Sequence, residues 1–150
     1  MRSNPWLIAG GTLSALAALL HIAVILGGPE WYRFFGAGEG MARAAERGMT
    51  RPAIYTLVIA AILLGWSLYA FSGAGLIRRL PLLRTALVAI SAIYLLRASA
   101  PLPILLLAPE QTTGFLLWSS LIVLIYGIAY AVGTWRAWPT LRPVAPNAPG

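Results

Sequence analysis

Four apolar runs, each about twenty residues long, decide what this chain can become, because each is long enough to cross a hydrocarbon layer as a helix. They span about residues 5–26, 52–71, 80–100 and 113–132. Each ends on a break: Gly27-Gly28-Pro29, Ser72-Gly73, Pro101 with Pro103, and the Trp135 to Pro139 stretch. The third run is the least regular. Arg84 sits just inside it, and the apolar residues 104–107 follow its two prolines. Those four residues read either as a helix continuing past a kink or as a short re-entrant piece.

Composition closes the soluble alternatives. The chain has 10% charged residues and a mean hydropathy of +0.79, against roughly 25% charged in a soluble domain. So few charges cannot cover a soluble surface, so the apolar surplus is expected to face lipid. The predicted fold is therefore an all-α integral membrane protein, four transmembrane helices in an up-down bundle. Residues 1–138 form one domain, with an interfacial loop at 27–51. The Pro-rich tail 139–150 lacks apolar periodicity and is expected to be disordered. The first run follows Arg2 like a secretory leader, yet it is too long for a leader's apolar region and no clear small-x-small site follows. An uncleaved anchor is the expectation. No internal repeat is visible.

The chain has no cysteine, which excludes disulfides, thiolate metal sites and thiol nucleophiles. One histidine and four acidic residues, all glutamate, make a multi-ligand metal site a poor reading. The formal charge is +7 and every cation is arginine. These arginines are scattered at run ends, so anionic lipid headgroups are the expected partner rather than nucleic acid.

Four crossings put both termini and the 72–81 loop on one side. That side carries Arg2, Arg78, Arg79, Arg84, Arg136 and Arg142; the other carries Arg33, Arg43, Arg47, Arg51 and Arg97. The near balance is broken by Arg78-Arg79 in a tight loop, which assigns the termini to the cytoplasm. Trp6, Tyr69, Trp135 and Trp138 all fall at the termini-side interface, as aromatic anchors do.

Polar groups converge on the opposite end. His21 lies shortly before the end of its run, about 8 Å below the interface at the helical rise. Tyr55 and Thr56, Tyr94 and Arg97, and Trp118, Ser119 and Ser120 reach the same depth on the other runs. Gly10, Ser14, Ala17 and His21 share one helix face of small residues, which should turn His21 inward. The bland readings are a histidine bonded to its own helix, an arginine snorkelling to headgroups, and a Tyr55, Ile62, Trp66, Tyr69 stripe that is bundle packing.

Loop 27–51 is too aromatic for a free linker. Glu30, Trp31 and Tyr32 open a segment expected to lie on the membrane surface, and residues 39–48 read as a short helix stopped by Gly48. Glu39 and Arg43 sit at the favourable four-residue spacing. Folded over the polar end as a lid, this loop would let Glu30 or Glu39 pair with Arg97 or His21. The candidate ligand-binding set is therefore His21, Glu30, Trp31, Tyr32, Glu39, Tyr55, Tyr94, Arg97, Trp118 and Ser119. The alternative is an interfacial helix that only anchors the protein.

Function classes follow from what is present. Asp is absent, so no Ser-His-Asp set exists, and Gly36-Ala37-Gly38 lacks the context of a phosphate loop. An enzyme would have to use His21 with a loop glutamate. A small oligomeric transporter or channel is the stronger alternative, although the middle of the runs holds no charge and transport sites usually sit there. The leading expectation is a protein that binds a lipid or small apolar ligand, or an accessory subunit of a larger membrane complex or homo-oligomer. No cofactor is expected; a lone histidine is a weak basis for haem. The small-residue seams Ala61/Gly65, Gly127/Ala131 and Ala129/Gly133 suit internal packing or docking.

His21 near the end of the first run, Gly27-Gly28, and Trp31-x-x-Phe-Phe-Gly36 together resemble short four-span bacterial membrane proteins of unknown function. The resemblance covers about the first half of the chain. It carries over no activity, cofactor or site residue. An all-helical set of spans fits a multi-pass protein of the bacterial cytoplasmic (inner) membrane.

Overall fold

Residues 4–141 are described in a computed structural model of the chain. They form seven α-helices and one 3-10 turn, with no strand among the described residues. The helices are α1 (Pro5–Gly27), α2 (Pro29–Phe34), α3 (Glu39–Glu46), α4 (Arg51–Gly73), α5 (Leu83–Ser99), α6 (Pro101–Leu107) and α7 (Gly114–Ala137), with the turn at Pro109–Gln111. Four helices are long and apolar enough to cross a membrane: Pro5–Gly27, Arg51–Gly73, Leu83–Leu107 and Gly114–Ala137.

Local chemistry sets the ends. Asn4 caps α1, its Oδ1 accepting from the backbone of Trp6 and Leu7 at 3.1 and 3.3 Å. Its Nδ2 donates to the Gly133 carbonyl at 2.7 Å, tying the start of α1 to the end of α7. Gly28 separates α1 from α2 with φ 72, a conformation that disfavours other residues, and Pro29 then starts α2 where no backbone N–H is needed. Gly48 ends α3 with φ 68 as Met49 N–H reaches back to Ala44 O at 3.0 Å, so the expected stop is where the helix ends. At residues 72–80 the Ser72 hydroxyl donates to Arg78 O and accepts from Leu80 N–H, stapling the turn.

The third run resolves into two helices. Pro101 has no N–H and its ring crowds the carbonyl four residues back, so the ladder breaks after Ser99. Ala100 keeps right-handed helical angles, and α6 resumes immediately. Residues 104–107 thus continue the helix past a break. The other boundaries shift modestly. α7 runs to Ala137, beyond the expected 132, and α5 starts at Leu83, after the stapled turn and Leu82, which has φ 52. Of the tail expected to be disordered, only 139–141 is described. It turns back on α7, with Leu141 buried; 142–150 lies outside the described residues.

α1 packs between α4 and α7, and α5 packs on α7. Close approach depends on residues without bulk. A Cβ on Gly10 would stand 2.9 Å from the Tyr130 ring, and one on Gly11 2.8 Å from Phe71. At Gly133 it would meet the Leu7 side chain at 2.7 Å and the Leu7 backbone nitrogen at 3.0 Å. Gly73 closes the same end against Leu87 and Leu7. Outside these seams the helices present bare aliphatic surface: Leu16, Leu19, Ile54, Leu57, Leu68 and Ile125 are each more than half exposed.

Two of the expected small-residue seams are filled from within. Gly127 receives Leu95, and Gly133 receives Leu7, whereas nothing lies within 4 Å of a Cβ on Gly65. Gly133→Val is expected to destabilise the fold by about 1–3 kcal/mol, because its backbone neighbour cannot move aside. Gly65→Val should change stability little. Thermal unfolding in detergent micelles checks the pair; equal losses would show that the α1–α7 contact is not tight.

Candidate functional site

The centre of the helix group is a hydroxyl chain wrapped in aromatic rings. Ser14 Oγ lies 2.9 Å from Tyr94 Oη and 2.9 Å from Tyr130 Oη, and Tyr130 donates to the Trp66 carbonyl at 3.0 Å. The carbonyl can only accept, so Tyr130 spends its one proton there. Ser14 must then donate to Tyr130, and Tyr94 to Ser14. The chain therefore runs one way, Tyr94 to Ser14 to Tyr130 to Trp66. Tyr94 is flanked by Trp66, Tyr126 and Tyr130, with centroids at 4.9, 5.4 and 5.4 Å. This is a packed and hydrogen-bonded core, and the candidate residue Tyr94 lies inside it.

The loop glutamates do not reach Arg97 or His21. They are gathered by Arg33. Its guanidinium donates to Glu30 at 2.7 Å, to both oxygens of Glu39 at 2.9 and 3.0 Å, and to Glu46 at 2.7 Å. Arg43 adds a bond to Glu39 at 3.0 Å. The Gly36–Gly38 turn folds α3 back beside α2, which puts Arg33 against the first and last turns of α3. The local ion cluster thus outcompetes the longer-range pairing. Arg33 and Glu46 were absent from the candidate set. Their signal was available: Glu39 and Glu46 lie seven residues apart on one face of α3, and Arg33 is three residues after Glu30.

The remaining candidates divide. His21 is half-buried, and Nδ1 lies 2.7 Å from Ala17 O. A carbonyl accepts, so the proton sits on Nδ1 and Nε2 is left as acceptor in the neutral ring. Tyr32 is buried on Val24 and Ala42, which seats α2 against α1 and α3, and its hydroxyl lies 3.4 Å from Thr56 Oγ1 of α4. Trp31 lies over Gly27, so a side chain there would collide with the ring. Glu30, Trp31, Phe34 and Phe35 line an open groove of about 460 Å³. Tyr55 and Trp118 face outward, 58% and 68% exposed.

Arg97 and Ser119 do come together. The exposed Arg97 guanidinium donates to Ser120 Oγ at 3.1 Å and Ser119 Oγ at 3.4 Å. Among the described residues no carboxylate lies within ion-pair distance of it. The tip of the loop reaches this corner, since a side chain on Gly36 would run into the Phe115 ring. Phe115 and Ser119 are one turn apart on one face of α7, so the tip sits about 6 Å from the Arg97 corner along the helix. No set of three or more metal-ligating side chains occurs among the described residues. Comparison of the chain with protein-family models, with curated proteins and with solved structures gives no match.

Two outcomes follow from this geometry. Ser14→Ala should cost about 1–3 kcal/mol by leaving the buried Tyr94 hydroxyl without its acceptor, while Tyr94→Phe removes donor and need together and costs less. Chemical unfolding of both variants checks the order, and a larger loss for Tyr94→Phe would refute the one-way chain. The second concerns the ion cluster. Hydrogen bonds from Arg33, then from Arg43, lower the Glu39 carboxyl from 4.5 to about 2. A lowered carboxyl stabilises above its unfolded value and loses that contribution as pH falls through the folded one. Amide protection in α2 and α3, taken relative to the intrinsic exchange rate at each pH, should therefore hold at pH 5 and fall between 4.5 and about 2. Arg33→Gln should abolish this loss of protection; protection that already falls above pH 5 in the parent chain would contradict the clamp.

Proposed function

We propose that the chain crosses a membrane four times as an up-and-down bundle and serves as a binding protein for an amphiphile with an acidic head. The head would sit at Arg97, Ser119 and Ser120, beneath the α2–α3 hairpin, with the apolar part along the adjoining helix surface. The observation that carries this reading is Arg97 itself: a guanidinium in an apolar helix whose partners among the described residues are two neutral hydroxyls. A cation in that setting is costly without an anion, which the described residues do not supply. The membrane is taken to be a bacterial cytoplasmic one with the termini inside, on the Arg78-Arg79 loop and the all-helical spans.

The other readings fare less well against the same geometry. The ring cluster around Tyr94 fills the middle of the helix group, which argues against a path through one chain. His21 is bonded to its own helix and the loop glutamates to Arg33, which argues against acid–base chemistry between them. An accessory subunit remains a second reading, favoured by the open Ala61/Gly65 seam on α4.

Native mass spectrometry after gentle extraction separates these. The wild type and His21→Ala should both retain a discrete acidic amphiphile, and Arg97→Leu should lose it. Retention by Arg97→Leu, or only bulk lipid on every form, would reject the binding reading. Loss of a co-purifying protein on Gly65→Leu, with Arg97→Leu unaffected, would establish the accessory reading in its place.

A further inference from the structure

A second corner of the α5–α7 pair lies at the other end of the helices. Val88, Ser91, Ala131, Thr134, Trp135 and Trp138 line an open groove of about 380 Å³ between the start of α5 and the end of α7. Three features set it apart from the bare aliphatic surface elsewhere. Thr134 is 5% exposed and its hydroxyl has no hydrogen-bond partner among the described residues. Arg84 lies with its guanidinium 3.5 Å from the centroid of the Trp138 ring, a neutral partner, and among the described residues no carboxylate lies within ion-pair distance of it. Trp135, 77% exposed, stands at the rim as interfacial tryptophans do.

We infer that this groove seats one anionic phospholipid, with its phosphate on Arg84 and an acyl chain lying between α5 and α7. The argument rests on the membrane-spanning reading above and is independent of the Arg97 site. Arg84 and Ser91 are two turns apart on α5, roughly 10 Å, so a headgroup at Arg84 leaves its ester region and upper chain along Val88 and Ser91. An ester carbonyl in the groove would accept the Thr134 proton, which a turn about the Cα–Cβ bond brings outward; threonine uses two such rotamers in helices. Ser91 already donates to Leu87 O at 2.7 Å and offers only lone pairs, so Thr134 is the donor. The net charge of +7 favours an acidic headgroup over a zwitterionic one.

The test uses delipidated full-length protein in detergent, titrated with phosphatidylglycerol or phosphatidylcholine and read by native mass spectrometry. One phosphatidylglycerol should bind ahead of phosphatidylcholine. Arg84→Gln should weaken that binding about fivefold, the effect of one interfacial arginine. Ala131→Phe, which fills the groove and keeps the arginine, should weaken both lipids. Arg97→Leu should leave this binding intact, and excess inorganic phosphate should not compete, because the chain contributes. Equal binding by wild type, Arg84→Gln and Ala131→Phe would overturn the groove. So would competition by inorganic phosphate, or a dimer that Ala131→Phe dissolves. Failure of the protein to co-float with vesicles would overturn the membrane reading and the groove with it; co-flotation without lipid preference overturns the groove alone.

Discussion

Everything in this structure depends on how closely α1 can approach α4 and α7. Helices this apolar gain nothing from burying aliphatic surface against one another when the surroundings are equally apolar. What holds them is van der Waals contact at short range and a few hydrogen bonds. Gly10, Gly11 and Gly133 provide the range, admitting the rings of Tyr130 and Phe71 and the side chain of Leu7. Asn4 and Ser14 provide the bonds, one at the end of α1 and one at its middle. Small residues and polar ties are thus one device: the hydroxyl chain can form only where the glycines let the helices meet.

That device also explains why the polar end of the molecule is not one pocket. The Ser14 face takes Tyr94 into the core, the α2–α3 hairpin closes on its own ion cluster, and His21 turns to its own backbone. What remains is the Arg97 corner, where an arginine meets two serines and, among the described residues, no acid. The hairpin stays close to it because Gly36 leaves room for Phe115.

The helices were legible because length and apolarity are read one residue at a time. All four long apolar helices were legible, as were the Gly48 stop and the short helix that begins at Glu39. Their rotations were not legible. A helix apolar on every side carries little amphipathic signal, so nothing in the runs says which face of α5 meets α7. Hence Tyr94 and Arg97, near neighbours in sequence and in the same candidate set, part company: one is buried and the other exposed. Tyr55 and Trp118 lie on outward faces of α4 and α7, a rotation that depth along the runs does not encode. The break between α5 and α6 was legible as two alternatives, since Pro101 fixes where the ladder fails and not where the chain goes next. Residue spacing marks the glutamate face of α3 and the Glu30–Arg33 neighbours, but joining the two needs the turn at Gly36 and Gly38, whose conformations are not spelled out by the flanking residues.

The central claim is that the four long helices cross a membrane alternately, which places the Arg97 corner and the α2–α3 hairpin on one side and the Arg84 groove toward the other. The absence of cysteine from the sequence makes the direct measurement simple. Single cysteines at Ala37, Gly75 and Gln111 would be labelled with a membrane-impermeant maleimide in sealed vesicles of known orientation. Ala37→Cys and Gln111→Cys should label from one side and Gly75→Cys only from the other. Labelling of Ala37→Cys and Gly75→Cys from the same side would contradict the account.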